Sequence, residues 1–263
     1  MAVRAAAPAD YPAFVGLFAA LETGDDTTPQ PEWERRLMPQ TLVYEDTGRT
    51  IGYVFFQVLD ALGYIRHLAV DAAHRGRGIG RTLMSAVATR LRESGIETWC
   101  LNVKPDNVPA IALYEKMGMR QQYATDVIRM HWDVPGRLPE GDALADVLDS
   151  SDDAAVEAAL GMSRGLLDLQ RGREGHLLVA RRDGRAVGVA AFRPSFPGAF
   201  PFRAIDLPAT RTLLDAMHSR RDETKDFVQV VLEDAAPLSR ALIDAGGWLH
   251  LQIVHLRGPV PVA

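Results

Sequence analysis

The 263-residue sequence contains one cysteine, Cys100, so it can form neither an intrachain disulfide nor a cysteine-based metal cluster. Its seven histidines are scattered, without a pair at the helical spacing that brings two imidazoles onto one metal. No apolar run is long enough to span a bilayer, and the first 22 residues lack the continuous apolar core of a signal peptide. Basic residues are not in excess: 29 Lys and Arg stand against 34 Asp and Glu, a net charge of -5, which argues against a general nucleic-acid binder. These absences leave the expectation of a cytoplasmic, metal-free protein that binds neither nucleic acid nor membrane, as a monomer or homodimer.

What is present is the composition of a globular protein, 47% apolar and 24% charged, at a length comfortable for two domains. The most informative stretch is 64–91. A short apolar run, 65–70, reads as a buried strand. Arg75-Gly76-Arg77-Gly78-Ile79-Gly80-Arg81-Thr82 follows, and then Ile79, Leu83, Val87 and Leu91 recur at helical spacing up to Gly95. A strand entering a helix through a glycine-rich, arginine-flanked turn suits phosphate, because the first helical N–H groups lack intrahelical acceptors and glycines let an anion approach them. A kinase-like P-loop needs a Gly-Lys-Ser/Thr ending, and a dinucleotide fingerprint needs a different glycine spacing in the first strand-helix unit. Neither fits.

Arg75, Gly78 and Gly80, directly after a strand ending Leu68-Ala69-Val70-Asp71, form an R-x-x-G-x-G pattern. It resembles the acetyl-CoA-binding motif of the GNAT superfamily, the GCN5-related N-acetyltransferases. The resemblance implies that the backbone amides of 75–82 hold the pyrophosphate of coenzyme A. It also implies that Leu68, Ala69 and Val70, on a strand splayed from its neighbour, pair with the pantetheine arm. A second stretch, LNVKPDNVPAIALYEKMGM, is similar to the family's N-x-x-A-x-x-L-Y-E-K-x-G run at Asn107, Ala110, Leu113, Tyr114, Glu115, Lys116 and Gly118. By that resemblance Asn107 and Ala110 border the cofactor and Tyr114 protonates the departing thiolate.

The remaining pattern agrees with an α+β, GNAT-type order. A strand near 3–6 precedes a helix starting at Pro8-Ala9-Asp10, with Phe14, Leu17, Phe18 and Leu21 on one face. A polar loop holding Asp25 and Asp26, read as solvated, leads to a short helix at 32–38. Strands are expected at 41–45 and 51–59, joined by Asp46-Thr47-Gly48-Arg49, and at 98–103. Asp106-Asn107 caps a helix over 108–117, and strands near 120–123 and 127–134 close the domain. Residues 136–141 read as a Pro/Gly linker between domains at 1–135 and 142–263.

The second half echoes the first. Gly184-Arg185-Ala186-Val187-Gly188 matches Gly48-Arg49-Thr50-Ile51-Gly52, and 242–248 matches 113–119. The interval between these landmarks is shorter in the second copy and contains no R-x-x-G-x-G. After a strand at 202–207 only Pro208-Ala209-Thr210 leads into a helix at 211–217, and Ile243 stands where Tyr114 stands. The chain is therefore read as two GNAT domains in tandem, the first intact and the second degenerate, each a mixed, mostly antiparallel sheet with helices on both faces.

The family resemblance implies direct attack of an amine on acetyl-CoA in a ternary complex, without a covalent nucleophile. The base is less evident. Relatives that acetylate ribosomal protein N-termini carry a glutamate where this chain has Asn102, which is expected to position a proton-relaying water. Tyr64 and Arg66 share a strand face, and His67 is expected on the other. The leading expectation is a small-molecule amine acceptor. A peptide N-terminus or lysine is the alternative within the same chemistry, and a silent CoA-binding sensor is the alternative outside it.

Overall fold

The computed structural model describes residues 2–21, 26–59, 61–171 and 174–262; Asp25 and Asp60 lie outside the described residues. In chain order the first strands are β1 (Ala2–Ala5), β2 (Thr41–Asp46), β3 (Arg49–Leu59), β4 (Leu62–Val70), β5 (Thr98–Val103) and β6 (Arg120–His131). They are followed by β7 (Leu144–Val147), β8 (His176–Arg182), β9 (Arg185–Arg193), β10 (Gly198–Ala204), β11 (Phe227–Glu233) and β12 (Trp248–Pro259). The chain divides into two compact units, Met1–Tyr123 with Val254–Ala263, and Ala124–Ile253.

The first unit carries the strand order β1-β2-β3-β4-β5-β12. Its pairs are antiparallel except β4 with β5. Alternation along the strands sends Leu42, Val54 and Ile65 to one face, under α3 (Ile79–Glu93) and α4 (Val108–Lys116). Val43, Tyr53 and Phe55 point to the other face, against α1 (Tyr11–Ala19) and Trp33. Trp33 opens a wide turn, Trp33–Leu37, that continues the single turn of α2 (Gln30–Glu32).

The second unit repeats the plan with the order β6-β11-β10-β9-β8-β7, in which β10 and β11 form the parallel pair. Helices α7 (Leu207–His218) and α8 (Ala236–Asp244) pack with Ile128, Met130 and Phe192, whereas α5 (Asp153–Ala159) and α6 (Leu166–Arg171) cover the opposite face. The copies agree in detail. Both hairpins turn through two residues of positive φ, Thr47-Gly48 and Asp183-Gly184, and both registers slip just inside the turn. A Cβ on Gly52 would meet the Ala69 carbonyl and Leu83; one on Gly188 would meet the Arg203 carbonyl and Leu213. The spatial equivalents are thus Gly52 with Gly188, Ala69 with Arg203, and Leu83 with Leu213.

Three expectations are corrected. The proposed linker at 136–141 lies inside the second unit, where Leu138 is buried in the same core as Ile128. The two strands expected near 120–123 and 127–134 are one strand, because 125–131 pair without a break with β11. The C-terminal residues 254–259 belong to the first unit, antiparallel to β5, so a domain boundary drawn once along the chain misses both crossings.

Candidate active site

The parallel pairing of β4 with β5 ends at Ile65 opposite Leu101. The reason lies on the other edge of β4. Its register with β3 passes from Phe56↔Ile65 to Phe55↔His67, so Arg66 is an extra, bulged residue. The bulge bends β4 away, and from there to Val70 the strand is paired only with β3. Leu68, Ala69 and Val70 consequently line one arm of a fork, with alternate backbone groups facing the gap. The bulge also overturns the expected facing of His67. Because one residue is inserted, His67 lies on the face of Tyr53 and Phe55, where its Nδ1 is 3.4 Å from the Tyr53 hydroxyl and its ring is 5.3 Å from that of Phe18.

The gap opens onto the first turn of α3. Gly78 is the N-cap at φ 81°, a left-handed conformation that costs other residues about 1–2 kcal/mol, and no side chain caps the turn. The first intrahelical acceptance at this end is Thr82 N–H to the Gly78 carbonyl, 3.0 Å. The amides of Ile79, Gly80 and Arg81 are left at the positive end of the helix. Gly76, at φ 76°, and the exposed Arg75, Arg77, Arg81 and Thr82 surround this turn, and Arg75 Nε holds the Val70 carbonyl at 3.1 Å. A Cβ on Gly80 would lie 3.3 Å from Leu113 and 3.8 Å from Leu68, which brings β4, α3 and α4 to one point. These residues fit a pyrophosphate with an extended arm. Gly78→Ala should weaken acetyl-CoA binding at least about tenfold in calorimetry while costing about 1–2 kcal/mol in thermal stability.

Asn107 caps α4, its Oδ1 accepting from Ala110 N–H at 3.3 Å. Tyr114 sits in α4 within the core cluster of Leu83, Val87 and Leu101. Burial pushes its hydroxyl up to about 12, so it stays protonated through the neutral range. Asn102 lies one residue beyond the end of the β4–β5 pairing. Its Nδ2 donates to the Tyr64 hydroxyl at 2.9 Å, and its Oδ1 is 2.7 Å from His255 Nδ1. Sequence reasoning missed His255. It lies 153 residues from Asn102, and only strand register reveals that the two are paired. Among the described residues no cluster of three His, Cys, Asp or Glu side chains could hold a metal ion, and no helix is long and apolar enough to cross a membrane.

Residues 9–119 match the sequence model of the Acetyltransferase (GNAT) family. The match covers 111 of the 263 residues, all of them in the first unit. A mycothiol acetyltransferase of Thermomonospora curvata is 36% identical over 85 residues, 32% of this chain and 28% of that protein. The chain thus matches well under half the length of that relative. The fold likeness extends further. A GCN5-related N-acetyltransferase from Sphaerobacter thermophilus superposes with a TM-score of 0.65 at 17% identity, covering 100% of this chain and 96% of the other. A tandem GNAT protein from the clavulanic acid biosynthesis pathway gives 0.59 at 18%, covering 100% and 99%. The architecture is two GNAT folds in tandem.

The second GNAT fold shows what a missing cradle looks like. Eight residues, 71–78, join β4 to α3, but only Ile205 and Asp206 join β10 to α7. Helix α7 therefore begins at Leu207, earlier than the expected 211, with Pro208 tolerated in its first turn. Asp206 caps it, its Oδ1 accepting from Ala209 N–H at 2.8 Å, and Arg182 holds the carboxylate at 2.9 Å. The chain's own carboxylate thus caps the helix end that α3 leaves without a side-chain cap. The fork is bridged as well. Arg203, at the place of Ala69, donates to the Glu233 carbonyl and lies 3.3 Å from its carboxylate. Asp206→Ala should cost about 1 kcal/mol of stability in denaturant unfolding and leave acetyl-CoA affinity unchanged.

Proposed function

We propose that this chain is an acetyl-CoA-dependent N-acetyltransferase that acts on a primary amine of a small molecule by direct attack in a ternary complex. The observation that carries the reading is the uncapped, glycine-entered first turn of α3 at the mouth of the β4–β5 fork. Amides 79–81 would hold the pyrophosphate, and the gap-facing backbone of Leu68, Ala69 and Val70 would hold the pantetheine, one N–H there polarising the thioester carbonyl. The amine's lone pair forms the N–C bond as the C–S pair leaves on sulfur. Tyr114 donates its hydroxyl proton to that sulfur, and the surplus proton on the new amide nitrogen restores the phenol. Asn102 in place of a glutamate, engaged by Tyr64 and His255, favours a small amine over the peptide N-terminus taken by relatives that carry the acid.

The reading is tested by following thiol release from acetyl-CoA over a panel of an amino alcohol, a diamine, an aminoglycoside and a short peptide with a free N-terminus. Release with one of the first three is the expected outcome. Release with the peptide alone would move the assignment to protein acetylation. Calorimetric binding of acetyl-CoA without release on any acceptor would make the chain a CoA sensor.

A further inference from the structure

We infer that His255, on the chain's last strand, is the general base of the transfer, held in its accepting tautomer by Asn102. The inference rests on the N-acetyltransferase reading and supplies the group that the sequence patterns around the two motifs do not. In register, His255 stands opposite Asn102, and Asn102 is the first residue of β5 beyond the last β4–β5 pair, Ile65↔Leu101. Both side chains therefore stand at the mouth of the fork. Alternation fixes their face: Leu101, Val103, Val254 and Leu256 are buried with α3 and α4, so Asn102 and His255 point to the opposite face. Asn102 is exposed and His255 half-buried, leaving room for an acceptor. Tyr114 belongs to the helix-covered face, so base and acid lie on opposite faces of the sheet.

Two contacts hold the imidazole, and a third orients one of its partners. Its ring stacks on Tyr123 at 4.7 Å between centroids and 14° between planes. Its Nδ1 meets the Asn102 oxygen at 2.7 Å, and the Asn102 amide is oriented by donating to Tyr64. A carbonyl oxygen can only accept, so Nδ1 carries the proton and Nε2 keeps its lone pair. The groups around it are Tyr123, Asn102, Tyr64, Cys100 and Arg257, with the Arg66 guanidinium over the Tyr64 ring at 4.7 Å. Burial holds the Tyr64 and Cys100 protons on, so the charges in this set are the two arginines. Burial first, and Arg257 second, keep His255 below the ordinary imidazole value, which leaves it neutral at physiological pH. In the reaction Nε2 takes one proton from the bound ammonium, the freed amine attacks the thioester carbon, and the imidazolium then releases that proton to solvent. Asn102 is a positioning residue in this scheme.

The test joins kinetics to spectroscopy. Thiol release from acetyl-CoA is followed against pH with the fastest amine of the panel above. The wild type should lose kcat on acidification with a midpoint below about 6.5. His255→Gln should lower kcat by about 10²- to 10⁴-fold and abolish that acid limb. Arg257→Gln should keep the plateau rate while the midpoint rises, because a cation opposing the imidazolium is gone. Asn102→Asp should raise it further, since a carboxylate at Nδ1 favours the charged ring. Independently, ¹⁵N spectra of histidine-labelled protein, with His255 assigned from the His255→Gln spectrum, should show the Nδ1–H tautomer at neutral pH and its loss in Asn102→Ala. An unchanged rate and acid limb in His255→Gln, or an Nε2–H tautomer in the wild type, would overturn the base assignment alone. A wild type that binds acetyl-CoA and releases no thiol with any amine would overturn the transferase reading and the base with it.

Discussion

Tyr114→Phe should bind acetyl-CoA and turn it over about 10²- to 10⁴-fold more slowly, the range lost when a positioned general acid is removed. The substitution deletes one oxygen from a ring packed in the core with Leu83, Val87 and Leu101, so the fold should tolerate it. That separates it from Tyr114→Ala, which would leave a cavity and cost about 3–5 kcal/mol, as for other large aromatic truncations. The pH profile sharpens the test. An acid acts in its protonated form, and burial raises this hydroxyl to about 12. Activity dependent on Tyr114 should therefore hold through the mildly alkaline range and fall only as pH approaches that value. Stopped-flow thiol release at saturating acetyl-CoA reads both effects. An unchanged kcat in Tyr114→Phe would reduce the residue to a packing role.

Both motifs were legible in the sequence because each is local. Gly76 and Gly78 declare a turn that takes positive φ, and Asn107 with Gly118 brackets α4. The hairpin echo at Gly48 and Gly184 was legible for the same reason, a two-residue turn with a narrow conformational requirement. What was hidden depends on register. The bulge at Arg66 leaves no trace in an apolar run, yet it turns His67 to the other face and opens the fork. Helix α7 starts early because Asp206 serves as its cap, and a Pro at 208 masks that start in a reading by periodicity. His255 was invisible because nothing near it in the chain resembles a site. Its role comes from the strand pairing that sets it against Asn102.

That pairing leads to the second large effect. A chain ending after Gly247, or the fragment 1–135 that a single domain boundary would suggest, should fail to give a folded first unit. Residues 254–259 form the sixth strand of its sheet, pairing with all of β5 from Val103 to Thr98. Val254, Leu256 and Val260 are buried in its core at 5%, 1% and 8% exposure. Burial of each such side chain contributes about 1.5–3 kcal/mol, so their joint loss approaches the whole stability of an ordinary domain, about 5–15 kcal/mol. Removing the strand would also bare the edge of β5, whose Trp99, Cys100 and Leu101 are buried, and an unpaired apolar edge invites aggregation. Circular dichroism and solubility of the two truncated proteins measure this, and a soluble, cooperatively melting 1–135 fragment would contradict it. A point variant reaches the same strand in the full chain. A Cβ on Gly258 would strike the Gly118 backbone, with Met119 Cα 2.9 Å away, and neither is a flexible side-chain end that can move aside. Gly258→Val should therefore lower the melting temperature sharply and, by displacing His255 from Asn102, remove acetyl transfer at temperatures where the protein is still folded.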